Sequence, residues 1–143
     1  MPQLRGNALL QRLDHAAILI LIAGTYTPFL LTKLRGTVGW ITFGLVWSLA
    51  LGTLAAKLIL TKTFAKPPVW LYVVMGWFAL LVFNQAMQTI GMLSLIFLLV
   101  GGIVYTAGIL FYRWRDLPFG HAIWHLFVIG GSAFHFFSVM QLV

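Results

Sequence analysis

The stretch DHAAILILIAGTYTPFLLTKL, residues 14–34, decides the fold class because no charge falls between Asp14 and Lys33 except the neighbouring His15 when it is protonated. A helix needs about 20 predominantly apolar residues to cross the hydrocarbon core of a bilayer. Four similar stretches follow: residues 38–60, 68–87, 91–112 and 119–143. Since backbone polar groups must be paired in lipid, all five are predicted to be helices. The sequence predicts an all-α integral membrane bundle of five transmembrane helices, with residues 1–143 as a single domain.

The composition supports a membrane protein. Of the 143 residues, 62% are hydrophobic and 8% are charged, whereas a soluble domain has about 25% charged residues. The formal charge of +7 is also compatible with a protein that binds nucleic acid. However, the basic residues lie between apolar runs, a pattern typical of membrane-flanking anchors. We therefore predict membrane lipids as partners and no nucleic acid. The absence of cysteine excludes disulfides and thiolate metal sites.

The basic residues also predict the orientation in the cell membrane. An odd number of spans places the two termini on opposite sides. The N-terminal side collects seven basic residues, Arg5, Arg12, Lys57, Lys62, Lys66, Arg113 and Arg115, and the other side has only Lys33 and Arg35. The positive-inside rule predicts a cytoplasmic N terminus and an outer C terminus, with Lys57 reaching the interface by snorkelling. No cleavable signal peptide is predicted, because the first apolar run is long enough to span.

Small and aromatic residues predict packing and anchoring. Gly44, Ser48 and Gly52 recur every four residues, which predicts a face of the second span that another helix approaches closely. Four aromatic residues near span ends are predicted interfacial anchors: Trp40, Trp70, Tyr112 and Trp114.

Ionisable side chains inside spans are costly, so they are candidates for function. His121 and His125 in HAIWH share one helical face, about 6 Å apart along the axis. That spacing suits two ligands of one metal ion, and imidazole suits Zn²⁺, although HxxxH also occurs in helices without a metal. Asp14 opens the first span as His121 opens the last, so all three side chains are predicted at one depth near the cytoplasmic face. The alternative is that Asp14 faces headgroups at a helix N-terminus, which the helix dipole favours.

Of the two other histidines, only His135 is predicted to lie outside this site. His135 follows His125 by about 15 Å along the helix, too far to share an ion, and is predicted to be a hydrogen-bonded packing residue. His15 adjoins Asp14 but points about 100° away around the helix.

Four motifs resemble those of the hemolysin III family, which belongs with the progestin and adipoQ receptors and is more distantly similar to the alkaline ceramidases. They are LDHAAILILIAGTYTPF (13–29), VMGW (74–77), GGIVYTAGILFY (101–112) and HAIWHLFVIGGSAFHF (121–136). The resemblance covers nearly the whole chain. It implies a seven-helix bundle with a cytoplasmic N terminus and a zinc site. In that site His121 and His125 would be ligands and Asp14 would hold the metal-bound water.

The resemblance also implies a third histidine ligand from the family's second helix. Aligned in this way, the chain begins just before the family's third helix, so the first two helices and that histidine are expected to be missing. Asp14 or His15 could take the place of the third ligand, and the sequence leaves this open.

Three functions follow as expectations. The likeness to ceramidases implies a Zn-dependent hydrolase of a lipid amide or ester bond, with Asp14 as general base or water-orienting residue. The family name implies a pore-forming, cytolytic protein instead, but a pore needs a polar stripe and the spans offer few polar residues beyond Asn84 and Gln85. The eukaryotic relatives imply a receptor-like protein, although no separate soluble domain is predicted to bind a hormone.

Overall fold

The computed structural model describes residues 2–60 and 69–143, with side chains from Leu10 onward. Helices occupy nearly all of both ranges: α1 (Pro2–Leu31), α2 (Thr37–Ile59), α3 (Val69–Trp77), a 3₁₀ segment (Phe78–Val82), α4 (Phe83–Thr89), α5 (Met92–Arg113) and α6 (Gly120–Met140). The predicted connection 61–68, with Lys62, Lys66, Pro67 and Pro68, lies outside the described residues, as does the side chain of Arg5.

Within residues 2–60 and 69–143, five helical segments are long and apolar enough to cross a membrane: Leu10–Leu31, Thr37–Ile59, Val69–Thr89, Met92–Arg113 and Gly120–Met140. Large apolar side chains such as Leu58, Leu110 and Leu126 are exposed on their outer surfaces, as expected where lipid is the solvent. The prediction of an all-α membrane bundle with five spanning helices is therefore confirmed.

Four of the five spans surround a central cavity. α1 packs against α2 and the third span, and the third span also packs against α5. The most extensive contact is between α5 and α6, whereas α1 and α6 make only a small contact. The core between α1, α2 and α3 includes the fully buried Leu19, Ala23, Val46 and Met75. The cavity is lined by side chains from α1, the third span, α5 and α6, so α2 lies outside this ring.

The third span is interrupted, where the sequence predicted one continuous helix. α3 ends at Trp77 and α4 begins at Phe83, with the 3₁₀ segment between them. An interrupted helix in a membrane needs other partners for the backbone groups that it frees. Tyr26 of α1 supplies them: its hydroxyl lies 2.7 Å from the carbonyl oxygen of Met75 and accepts a hydrogen bond from the amide of Ala79 at 2.9 Å.

Hydrogen bonds between side chains and backbone fix α5 and α6 against each other. Ser138 donates to the carbonyl oxygen of Ser94 at 2.7 Å, and the Ser94 hydroxyl lies 2.9 Å from the Ser138 carbonyl oxygen. His135 Nε2 lies 3.1 Å from the carbonyl oxygen of Leu98, which confirms the prediction that His135 is a hydrogen-bonded packing residue. These bonds fix the height of α6, and therefore of His121 and His125, relative to α5.

The prediction that Gly44, Ser48 and Gly52 face another helix of the chain was wrong. All three are exposed, and a Cβ added at Gly44 or Gly52 meets no atom within 4 Å. α2 instead buries Thr42, Val46 and Ala50, which lie on nearly the opposite side because two residues correspond to about 200° of rotation. Close helix approach occurs at other glycines, because a Cβ at Gly101 of α5 would overlap the His135 ring.

Candidate metal centre

Asp14 of α1 lies between the two histidines that open α6. Its Oδ2 is 3.6 Å from His121 Nε2, and its Oδ1 is 3.4 Å from His125 Nε2. The two Nε2 atoms are 3.0 Å apart. One ligand atom from each residue lies within 4.8 Å of the others, which makes the group a possible metal-binding triad. The structure thus brings together the three residues that the sequence singled out.

The separations suit a zinc ion. Ligand atoms about 2.0–2.1 Å from one Zn²⁺ lie roughly 3.3–3.4 Å apart in a tetrahedral site. The two Nε2 atoms are 3.0 Å apart, and each has a different Asp14 oxygen near it, at 3.6 Å from His121 and 3.4 Å from His125. Two imidazoles and one carboxylate, with a fourth position left for water, form a donor set that catalytic zinc sites use. Of the two candidates for the third ligand position, Asp14 lies within reach of such an ion, and His15 is not part of the triad.

The burial of one Asp14 oxygen favours a cation at the triad. The side chain of Asp14 is 22% exposed, against 53% for His121 and 37% for His125. Asp14 Oδ2 is buried and has no hydrogen-bond partner among the described residues. An unpaired buried carboxylate oxygen is unfavourable, so a metal ion or a bound proton donor would stabilise it.

Asp14 does not cap a helix. α1 begins at Pro2, about three turns before Asp14, so the dipole of the helix N-terminus falls too far away to favour its charge. The alternative in which Asp14 faces headgroups from a helix N-terminus is therefore disfavoured. The carboxylate faces the first turns of α6 instead.

The start of α6 is fixed by the end of α5. Phe119, immediately before α6, has a φ of 60°, a left-handed conformation that is uncommon for a residue with a bulky side chain. Gly120 is buried against the carbonyl oxygen of Phe111, which a Cβ at this position would approach to 3.1 Å. The chain thus turns sharply, and His121 follows this contact directly.

Two aromatic residues that the sequence analysis did not assign to the site flank the imidazoles. The Trp124 ring centroid is 5.3 Å from that of His121 and 4.9 Å from that of His125. Tyr112, predicted to be an interfacial anchor, lies 6.0 Å from His121. The position of Trp124 three residues after His121 could have indicated its place, since such residues share a helical face.

A cavity of about 260 Å³ lies inside the bundle next to the triad. Its lining includes Tyr112 and Trp124, which lie beside His121, and His15, on which Tyr72 of the lining stacks. Most of the remaining lining is apolar, including Ile18, Ile22, Phe29, Leu95, Leu98 and Ile109. Asp14, His121 and His125 themselves line a separate hollow together with Leu10 and Gln11, so the apolar cavity borders the possible metal site without containing it.

Comparison with known proteins identifies the family. The sequence model described as Haemolysin-III related matches residues 2–136. Hemolysin-3 of Bacillus cereus is 46% identical over 131 residues, covering 92% of this chain and 60% of that protein. The Hemolysin-3 homolog of Bacillus subtilis (strain 168) is 46% identical over 132 residues, covering 92% and 62%.

A more distant match is the Monocyte to macrophage differentiation factor of Homo sapiens, 28% identical over 129 residues, covering 90% of this chain and 53% of that protein. The chain therefore spans about three-fifths of the length of the Bacillus relatives that it matches. No solved structure matches it. The family match over residues 2–136 shows that the chain belongs to the haemolysin-III related family.

Proposed function

We propose that this chain is a Zn²⁺-dependent hydrolase that cleaves an amide or ester bond of a membrane lipid near the cytoplasmic face. The observation that carries the proposal is the triad of Asp14, His121 and His125, whose ligand atoms lie within 4.8 Å of one another beside an apolar cavity.

Each member of the triad has a role in this proposal. His121 and His125 would hold the metal through their Nε2 atoms, and Asp14 would complete the donor set through Oδ1. Its Oδ2 would orient the attacking water and accept its proton. Asp14 Oδ2 suits this role because it has no other hydrogen-bond partner among the described residues. A Zn²⁺ ion held there would supply a Lewis acid and make water nucleophilic near neutral pH.

The cavity supports a lipid substrate. Its apolar lining offers an environment in which each buried methylene contributes about 0.8 kcal/mol. A lipid whose hydrocarbon chain occupied the cavity would bring its polar linkage to the end near Asp14 and His121. A water-soluble substrate would leave this apolar volume unused.

The placement near the cytoplasm rests on charge. Among the basic residues with described side chains, Arg113 ends α5 and Arg115 lies in the connection to α6, and Arg12 lies on α1 two residues before Asp14. Lys33 and Arg35 lie beyond the opposite end of α1. By the positive-inside rule, the triad end faces the cytoplasm.

A pore-forming activity is the second candidate, because the Bacillus relatives are named Hemolysin-3. A conducting pore needs polar groups along its whole length. The cavity inside the bundle has an apolar lining with scattered polar residues, which favours the hydrolase.

One preparation can test both activities. The purified protein is reconstituted into vesicles that contain a fluorescent N-acyl or ester lipid and an encapsulated dye. We expect fatty acid release that stops after treatment with a chelator and returns with Zn²⁺, without loss of dye. Dye release without hydrolysis would contradict the proposal and favour the pore. Zn-dependent hydrolysis that survives in Asp14→Asn at the full rate would refute the role of Asp14.

A further inference from the structure

Lys57 is a buried cation in the last turn of α2. Its residue is 8% exposed, and its Nζ atom is buried with no hydrogen-bond partner among the described residues. The expectation that this side chain snorkels to the interface was therefore wrong. A buried ammonium without a partner is unfavourable, and an ionisable residue within a span is a candidate for function.

The charges around Lys57 do not balance it. Lys57 lies within electrostatic range of Arg12, which has the same sign, and of Asp14. Asp14 is already placed between His121 and His125. The only other acidic residue in the sequence is Asp116, which is exposed in the connection before α6. The surroundings of Lys57 therefore have a surplus of positive charge.

Two more unmatched polar groups lie nearby. His15 is 3% exposed, lies within electrostatic range of Lys57, and stacks on Tyr72 with ring centroids 6.4 Å apart. His15 Nδ1 and the Tyr72 hydroxyl are both buried without a hydrogen-bond partner among the described residues. Both residues line the cavity.

This concentration of unmatched groups is unusual. Native proteins leave few buried polar atoms without a partner. Of the five such side-chain atoms found in the described part of the chain, four belong to Asp14, His15, Lys57 and Tyr72. The three groups other than the carboxylate can each donate a hydrogen bond.

We propose that Lys57, His15 and Tyr72 form a binding site for the phosphate group of a lipid headgroup, with the lipid's hydrocarbon chain in the adjoining cavity. A phosphate accepts several hydrogen bonds, and its negative charge would neutralise the unpaired positive charge of Lys57. The depth is appropriate, because Lys57 lies in the last turn of α2, near the membrane face where headgroups lie.

The apolar cavity beside His15 and Tyr72 distinguishes a lipid from free phosphate, which has no apolar part to fill it. Where the bound lipid is also taken as the substrate, the inference rests on the proposed function. It then narrows the substrate to a phospholipid whose ester bond lies at the triad. The binding itself requires no hydrolysis.

The test compares ligands on the purified full chain in detergent by native mass spectrometry. The probes are phosphatidylglycerol, a diacylglycerol with the same acyl chains, and inorganic phosphate. We expect phosphatidylglycerol to remain bound and diacylglycerol to be lost, because only the former carries a phosphate. Retention of both lipids to the same extent would overturn the proposal. Binding of inorganic phosphate without retention of phosphatidylglycerol would assign the site to free phosphate and would also overturn it.

Two variants locate the site. Lys57→Met keeps the length of the side chain and removes its charge, and it should weaken phosphatidylglycerol binding by roughly 10–100-fold, the effect of one charged hydrogen bond. Tyr72→Phe removes only a hydroxyl that has no protein partner, so it should fold normally and weaken binding by roughly 3–10-fold. The control is Lys33→Met, an exposed cation at the other end of the bundle. Equal binding of phosphatidylglycerol by Lys57→Met and Lys33→Met would refute the site. If Lys57→Met does not fold, equal binding by Tyr72→Phe and wild type would refute it.

A further variant separates this inference from the proposed function. His121→Ala removes a proposed metal ligand and should abolish hydrolysis, yet it should retain phosphatidylglycerol. If wild type binds phosphatidylglycerol through Lys57 but hydrolyses no lipid, the proposed function fails and the phosphate site stands. If wild type hydrolyses lipid and Lys57→Met binds phosphatidylglycerol as well as wild type does, the phosphate site fails and the proposed function stands.

Discussion

The hydroxyl of Tyr26 on α1 lies 2.7 Å from the carbonyl oxygen of Met75, where the third span leaves α-helical geometry. The same oxygen accepts a hydrogen bond from the amide of Ala79. One side chain from the first span thus bonds the backbone of the third span just before the interruption and within it. In lipid, where water cannot replace these bonds, the interruption depends on this residue.

Tyr26→Phe should therefore destabilise the protein. Removing the hydroxyl leaves backbone groups of the third span without partners, at a cost of about 1–3 kcal/mol. The measurement is the unfolding transition of the purified protein in detergent. Thr106→Val is the control, because its exposed hydroxyl bonds only within its own helix and its loss should have little effect. Equal transitions for the two variants would contradict the role of Tyr26.

Neighbouring glycines in α5 should respond differently to alanine. A Cβ at Gly101 would overlap the His135 ring, whereas one at Gly102 meets no atom within 4 Å. Gly101→Ala should lower stability by about 1–3 kcal/mol through overpacking. Gly102→Ala should be neutral or stabilising by up to about 1 kcal/mol, since alanine favours helix. Thermal unfolding of the two variants side by side checks this, and a tolerated Gly101→Ala would show that the α5–α6 interface is looser than described.

Gly44→Leu should leave the thermal stability of the detergent-solubilised protein unchanged. The position is exposed on α2, and no atom lies within 4 Å of a Cβ placed there. The new side chain would therefore meet lipid or detergent. A clear fall in the melting temperature would instead show that this face contacts a second helix, as the spacing of Gly44, Ser48 and Gly52 first indicated.

Zinc content should separate the members of the triad from His135. His121→Ala and His125→Ala each remove a proposed ligand and should lose most of the metal. Asp14→Asn keeps the shape of the side chain and should weaken metal affinity or activity about 10–100-fold. His135→Ala should retain zinc, because His135 lies farther along α6 and bonds the backbone of Leu98 in α5. Elemental analysis of zinc per chain is the measurement, and equal zinc in all four variants would show that these residues do not form the site.

A reporter can establish the orientation. Enzymatic reporters that work only outside the cytoplasm should be active when fused after Val143. The expectation rests on the excess of basic residues at the triad end of the bundle and on the odd number of spans. A cytoplasm-specific reporter fused before Met1 serves as the complementary control. Activity of the cytoplasm-specific reporter fused after Val143 would contradict the predicted orientation and would place the triad near the outer face.

The spans and the triad could be predicted because they depend on local properties. Apolar length identifies a span without knowledge of its neighbours, and the spacing of His121 and His125 fixes a shared face whatever the helix packs against. The pairing of Asp14 with these histidines required one more step, the alternating direction of the spans, which also follows from the sequence.

Packing faces could not be predicted in the same way. In a soluble helix the apolar face marks the core, but here the lipid-facing side is equally apolar, so this signal is lost. Small residues at Gly44 and at Gly101 therefore look alike in the sequence, although only Gly101 lies against another helix. The interruption after Trp77 and the burial of Lys57 depend in the same way on partners in other helices, Tyr26 in one case and α1 in the other.

The pairing of Asp14 on α1 with His121 and His125 on α6 affects biogenesis. The ribosome synthesises α1 before α6. The Asp14 carboxylate therefore enters the bilayer before His121 and His125 are present to pair with it. The triad closes only when α6 has been inserted and has docked beside α1, a contact that is slight compared with that between α5 and α6. Any ion that the triad binds would thus be captured only after α6 has docked, and chains stalled before α6 would lack the complete site.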